Sequence, residues 1–523
     1  MRNIFFIAIA FFLVYQANSQ VDTVWTRCIG GSKDEPVLNF ESSQAIVKKM
    51  PDNTFLLVST TLSNDGLMQS PYTGANVFVA RMNYDGDTLW TRILGGSDHD
   101  IATGVDVDAN GNFVICGYTY SLDGTFEGHH GTSEEEDGFL AYYDKDGNKI
   151  WAKQYGGKGD SILYGRDYLY DVKFVGNGDI AAVGRTNSIN GDLSFYPDVF
   201  YSGWYLLVNE FGTKRRSLKI YGDNHSEDNA NSLLRFCFLP NGKIMAIGNQ
   251  DYFIKGNLWI VQFDGYGNKE WEKVYSSSAD VYGTDFYPTT DGYFMTCSFV
   301  TRDGCDVQGA WNGGYDAWII KTDSSGNIIN QKCFGGSYNE VSYRLEPHMD
   351  NFLMMGASSS PDGYAPGDTL GFTDMWMVYF DNNLDTIFTY KMGGESTEAF
   401  ISAIVINDEN IIAAGKTRSN SHYINGNHGH QDIFLTKLVT NKLVGVEDFA
   451  SNDLLLYPNP VSDMLFCDDI NVVGAEYEIF SSTGQKLLQG MYKNGIDLRN
   501  MPSGFYIIKF YAKQGIINSK FLK

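Results

Sequence analysis

Basic residues are the first shortage. The 523-residue chain sets 39 Lys and Arg against 63 Asp and Glu, a formal charge of −24, and its longest consecutive basic run is the three residues Lys214-Arg215-Arg216. Phosphate backbones are bound by clustered Lys and Arg, so nucleic acid is excluded as a partner. Proline is sparse (12 residues) and no stretch sustains a helical period, which leaves strands as the building element. No long apolar run follows residue 15, so no membrane-spanning helix is expected. The chain also lacks Gly-x-Ser-x-Gly, His-Glu-x-x-His and a phosphate-cradling glycine loop, the short motifs of common nucleophile, zinc and nucleotide chemistry. Its 63 acidic side chains leave one catalytic class open, hydrolysis by paired carboxylates.

Cysteine is scarce too: seven residues (28, 116, 237, 297, 305, 333 and 467), an odd number for an exported chain. Cys28 and Cys333 hold equivalent positions in the repeat described below, as do Cys116 and Cys297. Equivalents in separate units lie too far apart to bridge. Cys297 and Cys305 are the one pair close within a unit; the alternatives are a bridge there or small buried side chains throughout.

What is present begins with a leader. Arg2 precedes an apolar run from Ile4 to Tyr15, and Ala17-Asn18-Ser19 has the small-x-small form of a signal cleavage site. Cleavage is expected between Ser19 and Gln20, giving an exported protein.

From Trp25 to about Asn441 one pattern recurs, clearest in Asp137-Gly-Phe-Leu…Asp144-Lys-Asp-Gly147…Trp151…Tyr155-Gly156-Gly157. Its anchor position falls at Trp25, Trp90, Trp151, Ser217, Trp271, Asn330 and Phe388, with steps from 54 (217 to 271) to 66 (151 to 217) residues. Each unit reads as four short strands, with tight Asn-Gly or Asp-Gly turns after the first and third. The Asp106-Val-Asp108-Ala-Asn110-Gly111 segment opens like a calcium loop, but Gly117 stands where the acidic twelfth ligand belongs, so it reads as a hairpin. The expected fold is an all-β, seven-bladed β-propeller with four antiparallel strands per blade. The chain starts with a lone fourth-type strand and the seventh unit stops after its third, so the N-terminal strand is expected to close the last blade. Boundaries are expected at 1–19 (leader), 20–441 (propeller), 442–452 (linker) and 453–523, a small C-terminal β-sandwich.

Strand parity separates two faces. Tight turns occupy one, and the long second connections share the other with the Gly-Gly links between blades. The loop-rich face is therefore the expected binding face. Its candidate ligand-contacting residues are Tyr72, Asp123, His129, His130, Tyr196, Tyr201, Asp303, Trp311, Asp362, Tyr364, His428 and His430. An Asx-Gly step repeats in these loops, which makes Asp65, Asp123, Asp303 and Asp362 candidate Ca²⁺ ligands; turn chemistry explains the same residues without a structural cation. The histidines are read as solvated loop residues, since no zinc-type ligand set accompanies them. Third-strand aromatics (Phe78, Phe139, Tyr205, Trp259, Trp318, Trp376 and Phe434) are assigned to packing between blades.

The repeat pattern resembles the bacterial seven-bladed propeller repeat family, common in secreted bacterial proteins, which implies the fold and is silent on activity. The tail is similar to the type A C-terminal sorting domain of the type IX secretion system of Bacteroidetes. That resemblance rests on Tyr457-Pro458-Asn459-Pro460, Gly484, Met501 to Tyr506 with Gly504, and a basic end at Lys520 and Lys523. It implies recognition by the outer-membrane export machinery, with exchange for a lipopolysaccharide anchor among its fates; the alternative is an accessory carbohydrate-binding sandwich. The expected function is a secreted or cell-surface scaffold, non-catalytic, binding a glycan, polymer or protein through the loop-rich face. The alternative is a propeller polysaccharide hydrolase or lyase.

Overall fold

The computed structural model describes residues 21–523 except 37–43, 133, 160–163, 194–200, 224–229, 251–255, 290–292, 301–305, 310–312, 350, 368, 441–455, 459–460, 468–471, 482–485, 503 and 513–514. The leader, its Ser19–Gln20 junction and Cys305 lie outside the described residues. The chain divides into two compact units, Met1–Asn441 and Lys442–Lys523.

Local chemistry makes the strands of the first unit short and antiparallel. In the second sheet, Asp108 Oδ1 accepts the N–H groups of Asn110 and Asn112 while Gly111 takes φ 85°, reversing the chain into the buried strand Phe113–Thr119. The third connection repeats the device. Asp144 Oδ1 accepts from Asp146 and Asn148, and Gly147 has φ 77°. That glycine also lies beneath the Trp90 ring of the preceding sheet, where a side chain would collide. Gly86 under Trp25, Gly212 under Trp151 and Gly326 under Trp271 repeat the arrangement. Trp25 and Trp151 donate their indole N–H to Tyr84 and Glu210 carbonyls of the turn they cover. The Trp and turn-Gly signatures thus record contacts between blades rather than within them.

Seven four-stranded antiparallel sheets result among the described residues of this unit, with strands hydrogen-bonded in sequential order. Each sheet packs on the next and the seventh on the first, so the array closes as a β-propeller. The closing sheet combines strands Glu398–Asn407, Asn410–Thr417 and Asp432–Thr440 with Val21–Ile29. Its last pairing runs from Val21 opposite Thr440 to Ile29 opposite Ile433, as the two incomplete chain ends require. Apolar cores lie between sheets. The core at closure joins Ile29, Val47, Phe55, Ile401, Ile412 and Leu435. All seven third-strand aromatics are buried, Trp204 of the third sheet with them. Cys28, Cys116 and Cys237 are thiols.

The second unit holds a three-stranded sheet (Leu456–Tyr457, Met464–Cys467, Ile496–Asp497) and a four-stranded one (Lys486–Met491, Glu476–Ser481, Phe505–Ala512, Gly515–Leu522). Leu465, Ile479, Tyr492, Ile508 and Phe510 form their common core, a small β-sandwich.

Candidate ligand site on the propeller axis

The innermost strands build the axis, and a β-bulge in six of them shapes it. Pairing skips one residue between Ala102 and Gly104, Leu169 and Asp171, Leu233 and Arg235, Gly283 and Asp285, Ser342 and Arg344, and Phe400 and Ser402. A bulge leaves one residue unpaired and re-aims side chains. The skipped Thr103, Tyr170, Leu234, Thr284 and Tyr343 all line a cavity of about 360 Å³, joined by Tyr282, Gln44, Ser232, Asn249, Arg185 and Arg235. These residues sit at the starts of innermost strands and the ends of second strands, so the cavity is a vestibule on the loop-rich side. Its described lining contains no Asp or Glu.

A second axial cavity of about 330 Å³ shares Arg235 with the vestibule and extends toward the tight-turn side. It contains Lys48, Asp171, Lys173, Asp285, Arg344 and Glu346. These acids carry structural loads. Asp106 accepts the Phe174 N–H (3.0 Å), Asp171 that of Phe236 (3.3 Å) and Asp285 that of Leu345 (3.0 Å), each on the innermost strand of the following blade. Ser402 does the same for Val47 at closure (2.9 Å). An innermost strand has one unpaired edge, and these side chains satisfy its N–H groups. Cations balance them: Lys48 to Asp106 (3.0 Å), Lys173 to Asp171 (3.4 Å) and Arg235 to Asp285 (3.8 Å). Burial acts to raise the Asp171 pKa, but Lys173, Arg235 and Arg344 outweigh it and hold the carboxyl below its ordinary value. Burial pushes Glu346 up to about 7, although it accepts the Val405 N–H. Burial, with Arg235 beside it, brings Arg344 down to about 10.

The links between blades hold a second polar system. Glu35, Asp100, Asp167, Glu340 and Glu398 are each 0% exposed. They accept the N–H of the second link glycine: Gly31 (2.9 Å), Gly96 (2.8 Å), Gly157 (2.9 Å), Gly336 (2.7 Å) and Gly394 (2.8 Å). Hydroxyls at the end of the adjoining second strand and just beyond it complete the shell, such as Thr61 on Glu35, and Thr417 and Ser419 on Glu398. Facing them across the first glycine are Asp432, Asp137, Asp316 and Asp374, whose Oδ1 atoms stand where a Cβ on Gly30, Gly156, Gly335 or Gly393 would be. Only glycine fits there.

Two of these carboxyls titrate late. Burial raises Asp100 to about 7; burial, then the charge of Asp137, raises Asp167 to about 8. A carboxyl whose folded pKa lies above its unfolded one contributes stability that is complete below the unfolded value, near 4, and is lost as pH rises through the folded one. His130, raised chiefly by its hydrogen bond to Asp137, acts in the same sense. The unfolding midpoint of the mature chain will therefore fall between about pH 5 and pH 8, by a loss on the order of a few kcal/mol. Asp137→Asn will shrink that fall by relieving Asp167. Thermal unfolding across this range checks it, and a flat or rising midpoint contradicts the assignment.

The sequence candidates are distributed as follows. Exposed Asp65, Asp123 and Asp362 accept the N–H of Ser32 (2.9 Å), Ser97 (2.7 Å) and Ser337 (2.8 Å), pinning each long loop to the preceding link. No group of three or more His, Cys, Asp or Glu is arranged for a metal among the described residues. His129 departs from the solvated reading. Its side chain is 9% exposed, with Nδ1 on Gln154 Oε1 (2.8 Å) and Nε2 on the Thr132 carbonyl (3.0 Å). His130 is partly buried and bonded to Asp137 (3.3 Å), whereas His428, though it bonds Asp432 (2.8 Å), and His430 are both exposed. Tyr72 accepts from Thr125 (3.3 Å), and Tyr364 packs on Phe334. Tyr201 is buried with the Arg185 guanidinium over its ring. Tyr196, Asp303 and Trp311 lie outside the described residues. None of the described candidates lines the vestibule; Tyr201 touches it through Arg185.

In the second unit, Tyr457 is exposed and stacks on Phe466, and Tyr506 is buried with its hydroxyl donating to the Pro502 carbonyl (2.7 Å). Gly504 and Lys523 exchange backbone hydrogen bonds, and Lys523 Nζ caps Met501 O (2.7 Å). Lys520 lies in the final strand. Asn459, Pro460 and Gly484 fall outside the described residues.

Fold and tail together define the class: an all-β propeller carrying a type IX sorting sandwich. Residues 455–523 match the family described as a secretion system C-terminal sorting domain, so this segment belongs to that family and directs secretion to the outer surface through the type IX machinery. No helix among the described residues is long and apolar enough to cross a membrane. No curated protein matches the chain. Among solved structures it is similar to Kuenenia stuttgartiensis hydrazine synthase (11% identity, TM-score 0.43, 72% of this chain and 95% of that one). A polysaccharide lyase of family PL25, an ulvan lyase, gives 10% identity and TM-score 0.43 over 78% and 95%. The Fusarium graminearum α-L-arabinofuranosidase Arb93A gives 10% and 0.37 over 68% and 98%.

Proposed function

We propose that the protein is a bacterial surface or released glycan-binding propeller of the seven-bladed repeat type, exported on a leader cleaved after Ser19, with its ligand seated in the axial vestibule. The observation that carries this reading is the lining: three tyrosines delivered by or beside bulges, with amides, hydroxyls and arginines between them. Aromatic faces with convergent polar groups suit a sugar ring, and the volume lies within the range of small-molecule sites. Binding without turnover is favoured because the axial carboxylates Asp171, Asp285 and Glu346 each hold a neighbouring strand. A glycan and polysaccharide screen of the mature chain, scoring retention and product release together, tests it. Retention without release is expected, weakened roughly tenfold by Tyr343→Ala. Released oligosaccharide would transfer the assignment to a hydrolase or lyase, and retention indifferent to Tyr343 would remove the vestibule from it.

A further inference from the structure

Resting on that reading, we infer that the vestibule recognises chain ends: it seats the terminal residues of a glycan end-on and does not grip a polymer along its length. A site for the middle of a chain must be a groove open at both ends, so that the chain can enter and leave. The vestibule is a well. Its lining takes Gln44 from the lead into the first sheet, Thr103 from the second sheet, Tyr170 from the third, Ser232 from the fourth, Tyr282 from the fifth and Tyr343 from the sixth. Six of the seven sheets thus contribute to one cavity on the axis, so protein stands around a ligand rather than to two sides of it. At about 360 Å³ the cavity lies near the small end of small-molecule sites, which suits a short terminal segment.

The floor is tied across the axis. Arg344, from the sixth sheet, lines the deeper cavity and donates from Nη2 to Oε1 of Gln44 (2.8 Å), which lines the vestibule. That hydrogen bond crosses the boundary between the two cavities. Arg235, from the fourth sheet, lines both and donates from Nη1 to the Tyr170 carbonyl of the third (3.1 Å). A chain pushing deeper must break these ties and draw Arg235 away from Asp285, 3.8 Å from its Nε. Chain ends differ from internal residues in what such a floor can read. A terminal sugar carries a free hydroxyl where an internal one carries a glycosidic bond, and the sugar beyond that bond would meet the floor. A polar site pairs with the hydroxyl and strongly disfavours its replacement.

The test is calorimetric titration of the full mature chain with cello-, xylo-, manno- and galacturono-oligosaccharides, from disaccharide to octasaccharide, and with the parent polymers. Each probe that binds is then offered with one end blocked, either the reducing end joined to a bulky amine or the non-reducing hydroxyls closed as an acetal. Affinity per molecule is expected to level off by the trisaccharide, and each polymer chain to hold one protein. One of the two blocks is expected to weaken binding roughly tenfold or more and the other little, which identifies the end that enters. Gln44→Ala, which unties Arg344, should recover part of that loss; a penalty untouched by it would overturn the floor assigned to Gln44 and Arg344. The end-block comparison itself needs only the unaltered chain. Affinity that climbs with length, several proteins on each polymer chain and indifference to both blocks, all still lowered by Tyr343→Ala, would overturn end-on seating and leave vestibule binding intact. Absence of binding by every probe and throughout the wider glycan screen would overturn the underlying reading.

Discussion

A chain ending at Asn441 will accumulate in the periplasm with its propeller folded, and its signal at the cell surface will drop to background. The expectation joins two observations. Residues 455–523 belong to the family of secretion sorting domains, and the cut falls between two compact units, so no propeller strand is lost. The core of the second unit is its own, built from residues such as Leu465, Ile479 and Phe510. Protease accessibility of whole cells, read beside the circular dichroism of the purified truncated chain, separates failed export from failed folding. Surface display of the truncated, folded propeller would remove the tail from the export route.

The second large effect is expected inside the propeller. A chain lacking residues 21–29 loses the outer strand of the closing sheet and leaves the edge of strand Asp432–Thr440 unpaired along eight residue pairs. It also removes Ile29 from the closure core and Trp25 from its place over Gly86. Truncating one large buried side chain costs about 2–5 kcal/mol. Losing the whole strand should therefore lower the unfolding midpoint by roughly 10 °C or more and promote edge-to-edge association. A synthetic peptide of residues 21–29 added in trans should recover much of the midpoint. A midpoint unchanged by the deletion would mean that the closing strand contributes little.

The architecture was legible in the sequence because its signals are local. Turn glycines, the Trp anchor and the two incomplete chain ends each name a position in a repeated sheet, and pairing of Val21–Ile29 with Asp432–Thr440 follows from them. The vestibule was not legible. Tyr170, Thr284 and Tyr343 look like ordinary strand residues until one skipped pair turns them to the axis, and bulges leave no fixed sequence mark. Arg185 and Asn249 come from second strands and reach the vestibule only through three-dimensional closure. One signal was available and unread. An acid four residues beyond the second link glycine recurs at Glu35, Asp100, Glu340 and Glu398, announcing the buried staples between blades. Asp167 follows the rule spatially, after a longer spacer.

Synthesis runs from the N-terminus, so the first strand to be made is among the last to find its partner. Val21–Ile29 must wait for Asp432–Thr440, some four hundred residues later, and the loop bridging them is nearly the whole propeller. The sorting signature is encoded immediately downstream, from residue 455. A half-made ring therefore bears no address label. By the time the exporter has anything to read, the clasp of the ring has already been supplied.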